Sequence, residues 1–480
     1  MPKNVREKNP AVSRQGKAAR RRRPPVKVLE FSESCLKDGA GYRRVADIVK
    51  SGTGPRVVVV SAAEGVREQL MSGIERARSS ELSAAEVVSR LADAHRGFAR
   101  GAAGRAEVQW ELHRDLEAEL GTLSKLLLGI SFTGEASPSA LSRILSYGPR
   151  LSALILVAAL RDLGLKSESW EADAIGMITD QVAENATVDL PLFTANFRPF
   201  ERRVRGEEVI PVISGDFGCT QTGRISGFGR NGSDYSASVV AHALGAGALE
   251  IWKDEDIFFS ADPRLVPNPV GLECLSYAEA AELAYFGERI LHPRALEPLA
   301  GMTISLSMRS LARPEGPGTR LTPRGFVKSD IVKSVSTTDD IAMLRIHGPG
   351  VGYKPGIIGQ IGRSLADVGI NIDSVITSQT CINLLLDRKD ARRGLKQISD
   401  LAGGVIQHVD LRDDISLVAA IGEGFLGKPG IAARILGAVS RENINVEMIS
   451  IGASEVAAYI MVQRGLAKPT VNAIHREFFG

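Results

Sequence analysis

The sequence predicts an α/β protein in which a large parallel sheet, covered by helices, precedes two smaller α/β modules. Two observations lead to this prediction. Residues 26–61 alternate a strand, a helix and a second, wholly apolar strand, which is the pattern that begins a parallel sheet. Beyond residue 335 the chain repeats itself at a constant offset of 74 residues, which is typical of duplicated supersecondary units.

Short apolar strands and helical stretches alternate through the first 310 residues. The polar, alanine-rich and arginine-rich stretch at 64–125 has helical periodicity, and the Pro/Gly-rich stretch at 314–323 predicts a linker. We expect strands at 26–31, 56–61, 209–214, 249–252 and 302–308, a return to strands at 189–195, and helices at 41–50, 149–163 and 234–246.

A polar loop precedes the helix at 234–246 and reads Gly229-Arg230-Asn231-Gly232-Ser233-Asp234. Open α/β sheets bind ligands at the carboxyl ends of their strands, and glycines at a helix N-terminus allow an anion to approach. The planar guanidinium of Arg230 suits a carboxylate or a phosphate. The same residues would also form an ordinary capped loop, since Ser and Asp are good N-caps. The loop alone leaves both interpretations open.

The composition is that of an ordinary soluble α/β protein, with 44% hydrophobic residues in a 480-residue chain that has room for two or three domains. No apolar run reaches the ~18–20 residues of a membrane span, and the N-terminus lacks a signal-peptide core. We therefore expect a cytoplasmic protein without membrane contact. The four cysteines have no metal-ligand spacing, so we expect reduced thiols and no metal site.

The first 25 residues form a basic tail with nine Lys and Arg against one Glu. A segment of this kind, without apolar periodicity and ending in Pro24-Pro25, is expected to be disordered. We interpret it as a solvated extension or the product of an upstream start codon. A nucleic-acid-binding arm is the alternative, although we expect no nucleic-acid partner.

The internal repeat defines the two modules. Lys354-Pro355-Gly356-Ile357 recurs as Lys428-Pro429-Gly430-Ile431, and residues 369–373 recur as 443–447. Each copy predicts a strand, a helix that starts at proline, two further strands and a final helix. The predicted elements are 341–347, 355–367, 372–378 and 381–386 in the first copy, and 415–421, 429–442, 446–451 and 456–462 in the second. We place the modules at 335–410 and 411–480.

Three segments together resemble the aspartate kinase family. They are GRNGSDYSA at 229–237, EIWKDEDIFFSADPR at 250–264 and AELAYFGERILHPRA at 281–295, and they keep the family's order and spacing. The resemblance implies an amino-acid kinase domain at 26–325, a carbamate-kinase-like three-layer αβα sandwich, followed by tandem ferredoxin-like ACT domains. It also implies ATP and Mg²⁺ as cofactors. The implied reaction is phosphorylation of L-aspartate to 4-phospho-L-aspartate in lysine, threonine and methionine biosynthesis, regulated by an amino acid.

The resemblance also implies roles for individual residues. Asp234 would be catalytic, by organising the substrates or Mg²⁺. Acceptor contacts would come from Arg230, Gly232, Ser233 and Ser61. The nucleotide would meet Lys253, Asp254, Phe259, Arg264 and Arg289. In the ACT domains an effector would meet Lys354, Gly356, Asn371, Lys428, Gly430 and Asn445. The alternatives are that the turn at Arg264 is only structural and that the asparagines only cap turns.

Three motifs depart from the family pattern. The family's K-F-G-G-T-S appears as Glu30-Phe31-Ser32-Glu33-Ser34-Cys35, so a phosphate-facing lysine is replaced by an acid. Such a charge reversal beside a polyanion is worth several kcal/mol. The threonine that contacts aspartate is replaced by Arg67, and the glutamate that binds its amino group is replaced by Pro149. The nucleotide half therefore matches the family better than the acceptor half.

We predict an aspartate kinase homologue that dimerises through its ACT domains. One alternative is a kinase for a different carboxylate substrate. The other is a catalytically inactive, effector-sensing subunit that regulates an active paralogous aspartate kinase. For the repeat, the alternative to effector binding is a purely architectural role.

Overall fold

The computed structural model describes residues 25–206, 209–254, 258–286, 291–401 and 403–480. It confirms the α/β class: the described residues form an eight-stranded and a three-stranded sheet in the N-terminal domain, followed by two four-stranded sheets. All but the last residue of the predicted basic tail lies outside the described residues. The N-terminal domain contains the strands β1 (Lys27–Phe31), β2 (Arg56–Val60), β3 (Ser167–Glu171), β4 (Ile178–Thr179), β5 (Ile210–Ser214), β6 (Phe217–Thr220), β7 (Ile225–Gly227), β8 (Ala248–Lys253), β9 (Cys274–Ser276), β10 (Ser305–Ser310) and β11 (Thr319–Thr322).

Helices cover both faces of the large sheet, whose strand order in the described residues is β3-β5-β2-β1-β8-β10-β11-β9. The helices are α1 (Gly39–Ser51), α2 (Val66–Ala77), α3 (Glu81–Ala102), α4 (Ala106–Thr133), α5 (Pro138–Leu145), α6 (Tyr147–Asp162), α7 (Leu190–Gly206), α8 (Gly232–Leu244) and α9 (Tyr277–Tyr285). Alternate residues of β1 serve the two faces: Leu29 and Phe31 pack with α1 to α6, whereas Val28 packs with α7 and α8. Glu30 has the same parity as Val28 and therefore points toward α8.

Two predicted features of the N-terminal domain were wrong. The expected return to strands at 189–195 is the first turns of α7, where Asp189 caps the helix by accepting a bond from the Leu192 N–H at 3.0 Å. Phe193 and Phe197 are buried four residues apart, which is the spacing of one helical face. The expected linker at 314–323 contains β11, which pairs with β10 and β9.

The stretch 138–162 is long and apolar enough to cross a membrane by length and composition, and 83% of its most apolar window is buried inside the fold. It comprises α5 and α6. Helix α6 is buried over most of its circumference, on one side by the sheet and on the others by α1, α3 and α4. That burial is the behaviour expected of a core helix.

The C-terminal modules each contain a four-stranded antiparallel sheet with two helices. The first module has the order β14-β15-β13-β16 and the second β12-β17-β19-β18. Their elements are β12 (Ser334–Thr338), β13 (Ile341–His347), α10 (Ile357–Asp367), β14 (Ser374–Thr377), β15 (Cys381–Asp387), α11 (Arg388–Ser399), β16 (His408–Arg412), β17 (Ile415–Ile421), α12 (Ile431–Arg441), β18 (Met448–Ile451), β19 (Ala457–Gln463) and α13 (Ala467–Phe479).

The assignment of strands to the two modules does not follow the order of the chain. Strand β12 precedes the first module in sequence but pairs with β17 of the second. Strand β16 pairs with β13, so the expected boundary between residues 410 and 411 cuts through a strand of the first module. The expected proline-started helices begin two residues later, because Gly356 and Gly430 adopt φ values of 89° and act as N-caps.

Candidate active site

The candidate site lies where the carboxyl ends of β1, β2, β5 and β8 meet the N-terminus of α8. These strands are parallel neighbours, with Phe31 opposite both Val60 and Trp252. The hairpin β6–β7 is inserted between β5 and α8, so the glycine-containing loop follows β7 instead of β5. The loop nevertheless returns to the same edge, because Ser233 packs against Gly215 at the end of β5.

Lys253 and Asp234 form a buried ion pair at the centre of this edge. The Lys253 Nζ lies 3.2 Å from Asp234 Oδ1, and the Asp234 side chain is fully buried. The backbone N–H of His292 also donates to Asp234 Oδ2 at 2.9 Å. Burial alone would lower the pKa of Lys253, but Asp234 and then Glu30 reverse that effect, so the pKa is raised. The ammonium group is therefore firmly charged.

Glu30 lies beside this pair. Ser233 Oγ donates to Glu30 Oε1 at 2.8 Å, whereas Oε2 is buried without a partner in the described part of the chain. Burial, followed by the charge on Asp234, raises the pKa of Glu30 well above its ordinary value. Burial thus disfavours the negative charge that the sequence places at this position, and Lys253 supplies a positive charge from the adjacent strand.

Asp216 is a site residue that sequence reasoning missed. It adopts a φ of 70°, a left-handed conformation that favours glycine, in the turn after β5. Its carboxylate accepts the backbone N–H of Ser233, and a β-carbon added to Gly232 would lie 3.3 Å from its Oδ1. A side chain of the protein thus occupies the anion-binding N-terminus of α8. The available signal was an acidic residue directly after an apolar strand.

Replacing Asp216 by Asn is expected to remove a pH-dependent loss of stability. Burial raises the pKa of Asp216 from 3.8 to about 6, so the folded protein retains a proton that the unfolded chain releases. The free energy of unfolding therefore falls as the pH rises through this window. Urea unfolding should show the advantage of Asp216→Asn over wild type growing from about pH 4 to about pH 6 and then levelling off. Parallel profiles for the two proteins would contradict this.

The acceptor end of the site is rich in carboxylates. Arg230 is half-exposed and pairs with Glu68 at 3.1 Å, and Arg67 lies 3.6 Å from Glu184. Burial, and then the neighbouring Glu68, raises the pKa of Glu33. The Ser61 hydroxyl donates to the backbone carbonyl of Ala62 at 3.0 Å. The structure thus brings Ser61, Arg230, Gly232, Ser233 and Asp234 to one edge of the sheet, with Arg230 already paired.

The expected nucleotide residues are less closely grouped. Asp254 follows Lys253 and forms an ion pair with Lys37. Phe259 lines a cavity of about 190 Å³ with Met308, Arg313 and the turn at 316–318, which the sequence had suggested was a linker. Arg264 is 84% exposed and bonds to Asp262, so the structure does not bring it to the ion pair. Arg289 lies outside the described residues.

The expected effector residues occupy matching positions in the two modules. Gly356 and Gly430 cap α10 and α12 in the same conformation. Lys354 is exposed, whereas Lys428 donates to the carbonyl oxygen of Ser329. Asn371 donates to Asp373 at 2.9 Å, and Asn445 is exposed. The loops keep their shape across the repeat, while their polar side chains make different contacts.

Comparison with known proteins agrees with this arrangement. The sequence model of the amino acid kinase family matches residues 25–310, and an ACT domain model matches residues 418–478. The bifunctional aspartokinase/homoserine dehydrogenase 1 of Arabidopsis thaliana chloroplasts is 28% identical over 94% of this chain and 51% of its own length. Aspartokinase 2 of the same plant is 27% identical, over 94% of this chain and 84% of its own length. This chain thus spans about half the length of the bifunctional relative.

Solved structures show the same fold. Escherichia coli aspartokinase III in complex with aspartate and ADP superposes with a TM-score of 0.81 at 23% identity, over 95% of this chain and 100% of that one. The complex of the same enzyme with lysine and aspartate gives a TM-score of 0.78 at 24% identity, with the same coverage.

Proposed function

Because this chain belongs to the amino acid kinase family and is homologous to aspartokinases, we propose that it transfers the γ-phosphoryl group of ATP to the β-carboxylate of L-aspartate. The observation that carries the proposal is the buried pair of Lys253 and Asp234 at the carboxyl ends of the parallel strands. Enzymes of this kind act mainly by positioning the reactants and neutralising charge on the transferred group. A charged lysine fixed by a buried aspartate meets the second requirement.

Each group would contribute through charge. The Lys253 ammonium would face the phosphates in place of the lysine that Glu30 replaces, and Glu30, when protonated, could donate a hydrogen bond without adding negative charge. Asp234 is the carboxylate that fits the Mg²⁺ of the nucleotide, an ion that keeps most of its waters and needs one or two protein oxygens. No group of three metal-ligating side chains exists within the described ranges, which is consistent with that mode. When bound, Mg²⁺ would neutralise phosphate charge.

The acceptor carboxylate would bind Arg230, which must first release Glu68. Both side chains of that pair are about half exposed, so separating them costs at most about 1 kcal/mol. Ser61, Gly232 and Ser233 would complete the acceptor pocket. Phe259, Asp254 and Arg289 would lie beside the nucleotide, as would Arg264 after movement of the exposed turn that carries it.

Lys253→Met is expected to lower the rate of aspartate-dependent ATP consumption by about a hundredfold, because one charge-stabilising group is typically worth 10²–10³ in kcat. Lys27→Met is the matched control: Lys27 begins the neighbouring strand and pairs with Glu250 at 2.8 Å, but its side chain is 41% exposed. Aspartate-dependent ATP consumption by both variants at the wild-type rate would refute the role of Lys253.

A second candidate function is that of a non-catalytic subunit that senses an effector for an active paralogue. It is favoured by two contacts at the acceptor end of the site. Asp216 accepts the N–H of Ser233 at the N-terminus of α8, and Glu68 pairs with Arg230. Nucleotide binding without ATP consumption, on a panel of amino acids and other carboxylates, would select this candidate. Consumption with a carboxylate other than aspartate would instead identify a different acceptor, consistent with Pro149 at the position of the amino-binding glutamate.

We further propose regulation by an amino acid and a homodimer formed through the ACT modules in the cytoplasm. The loops before α10 and α12, with Lys354, Lys428 and the two asparagines nearby, provide unpaired helix N–H groups for an effector carboxylate. The edge strands β14 and β18 expose Val375, Ile449 and Ile451, which supports association there. The four cysteines are free, as expected for a reducing compartment.

A further inference from the structure

Helix α9 is the element at which the N-terminal domain meets both C-terminal modules. Tyr459 of the second module donates to Glu282 at 2.8 Å. Tyr285, at the end of the same helix, bonds to Asp373 of the first module. Between these two contacts lies a cavity of about 350 Å³, within the size range of small-molecule sites.

The cavity has an apolar body and an acidic rim. Leu385, Leu417 and Met448 provide the apolar surface. The ionisable groups among the lining residues are the carboxyls of Glu282 and Asp373 and the hydroxyls of Tyr285 and Tyr459. No lysine or arginine is among the described residues that line it.

Both carboxylates keep capacity for a further bond. Each carboxylate offers about four acceptor positions; the bond from Tyr459 uses one on Glu282, and the bonds from Tyr285 and Asn371 use two on Asp373. Burial, and then the charge of Asp387, raises the pKa of Asp373, although Asp387 itself pairs with Lys389 at 2.7 Å. A bound cation would offset the negative charges of Glu282 and Asp373 on the cavity wall, whereas a bound carboxylate would add to them.

We propose that this cavity binds a small organic cation, a primary ammonium group on an apolar chain of about four to six carbons. The ammonium group would lie between Glu282 and Asp373, and the chain would contact Leu417 and Met448. This site is separate from the glycine loops before α10 and α12, which do not line the cavity.

The position of the cavity links it to the candidate active site. Phe286, directly after α9, stacks on Tyr459 with ring centroids 5.7 Å apart. Six residues later, the His292 N–H donates to Asp234. A ligand that fixes Glu282 and Tyr285 would therefore act close in sequence to His292, which contacts the catalytic candidate Asp234. This coupling, unlike the binding itself, rests on the proposed function.

Calorimetry of the full chain with 1,5-diaminopentane, in the absence of nucleotide and aspartate, tests the site. We expect binding to the wild type, no binding of pentanoate, and affinity at least about tenfold weaker in the double variant Glu282→Gln, Asp373→Asn, since each hydrogen bond to a charged group is worth roughly 1.5–3 kcal/mol. Glu447→Gln is the matched control, because Glu447 is the repeat equivalent of Asp373 but pairs with Arg412 outside the cavity.

The results separate the proposal from its competitors. Failure of the wild type to bind the diamine, equal binding by the double variant, or equal binding of pentanoate would overturn the site. If binding is found, the Kd of ATP should change about fivefold in the saturating presence of the diamine, the lower end of typical coupling. An unchanged Kd would overturn the link to the active site while leaving the cavity assignment intact.

Discussion

Lys333→Met is expected to lower the free energy of unfolding by about 3–5 kcal/mol, because it leaves a buried carboxylate without its cation. Lys333, just before β12, is 2% exposed, and its Nζ lies 2.8 Å from Oε1 of the fully buried Glu279 on α9. Glu279 also accepts the N–H groups of Ser276 and Glu423, so it belongs to both the N-terminal domain and the second module. Breaking the pair leaves the carboxylate that contacts both of them without its cation.

Urea unfolding followed by circular dichroism measures this loss, with Lys27→Met as a control whose exposed pair should contribute less than about 1 kcal/mol. The double variant Lys333→Met, Glu279→Gln should recover part of the loss, since a neutral amide replaces the unpaired charge and its single carbonyl oxygen can still accept one of the two backbone bonds. If Lys333→Met has the same urea midpoint as the wild type, the ion pair of Lys333 and Glu279 does not stabilise the contact between the second module and the N-terminal domain.

The sequence predicted those elements whose pattern is local. Strands β1, β2 and β8 are short apolar runs, and the start of α8 has a glycine loop with polar caps, so their positions followed from neighbours in the chain. Helix α7 was missed because proline and aromatic residues at 191–200 resemble a strand end, whereas its amphipathic face is decided by packing on the sheet. Strand β11 was missed because prolines and glycines dominate the turn before it.

Features that depend on distant residues could not be predicted. Nothing near 334–338 shows that β12 pairs with β17, about 80 residues later. Asp216 resembles an ordinary turn residue until α8 places the Ser233 N–H against its carboxylate. For Glu30 the sequence showed the loss of a lysine, but the rise in the pKa of Glu30 depends on burial and on Asp234. The altered acceptor half stays a prediction from the sequence, whereas the contacts of Glu30 could be known only from the fold.

Glu30 and Lys253 are expected to behave as a coupled pair in which restoring the family lysine alone is harmful. Glu30→Lys would place a second ammonium group in a buried site that already holds Lys253, and the repulsion between like charges would oppose folding and nucleotide binding. Glu30→Gln should stay within about threefold of the wild-type rate at low pH, because it imitates the protonated acid. Its advantage over wild type should grow as the pH rises, since the raised pKa means that ionising Glu30 is unfavourable in the fold.

The decisive comparison is between Glu30→Lys and the double variant Glu30→Lys, Lys253→Thr, which moves the cation from β8 to β1. We expect the single variant to lose at least about a hundredfold in kcat/KM, equivalent to roughly 2.7 kcal/mol, and the double variant to recover at least about tenfold of that loss. Steady-state ATP consumption with aspartate measures both, and calorimetry with ATP separates binding from turnover. A single variant that is more active than wild type would show that Lys253 does not occupy the role of the missing lysine. If the kcat/KM of the double variant does not exceed that of the single variant, the position of the cation limits the reaction, and the number of cations in the site does not.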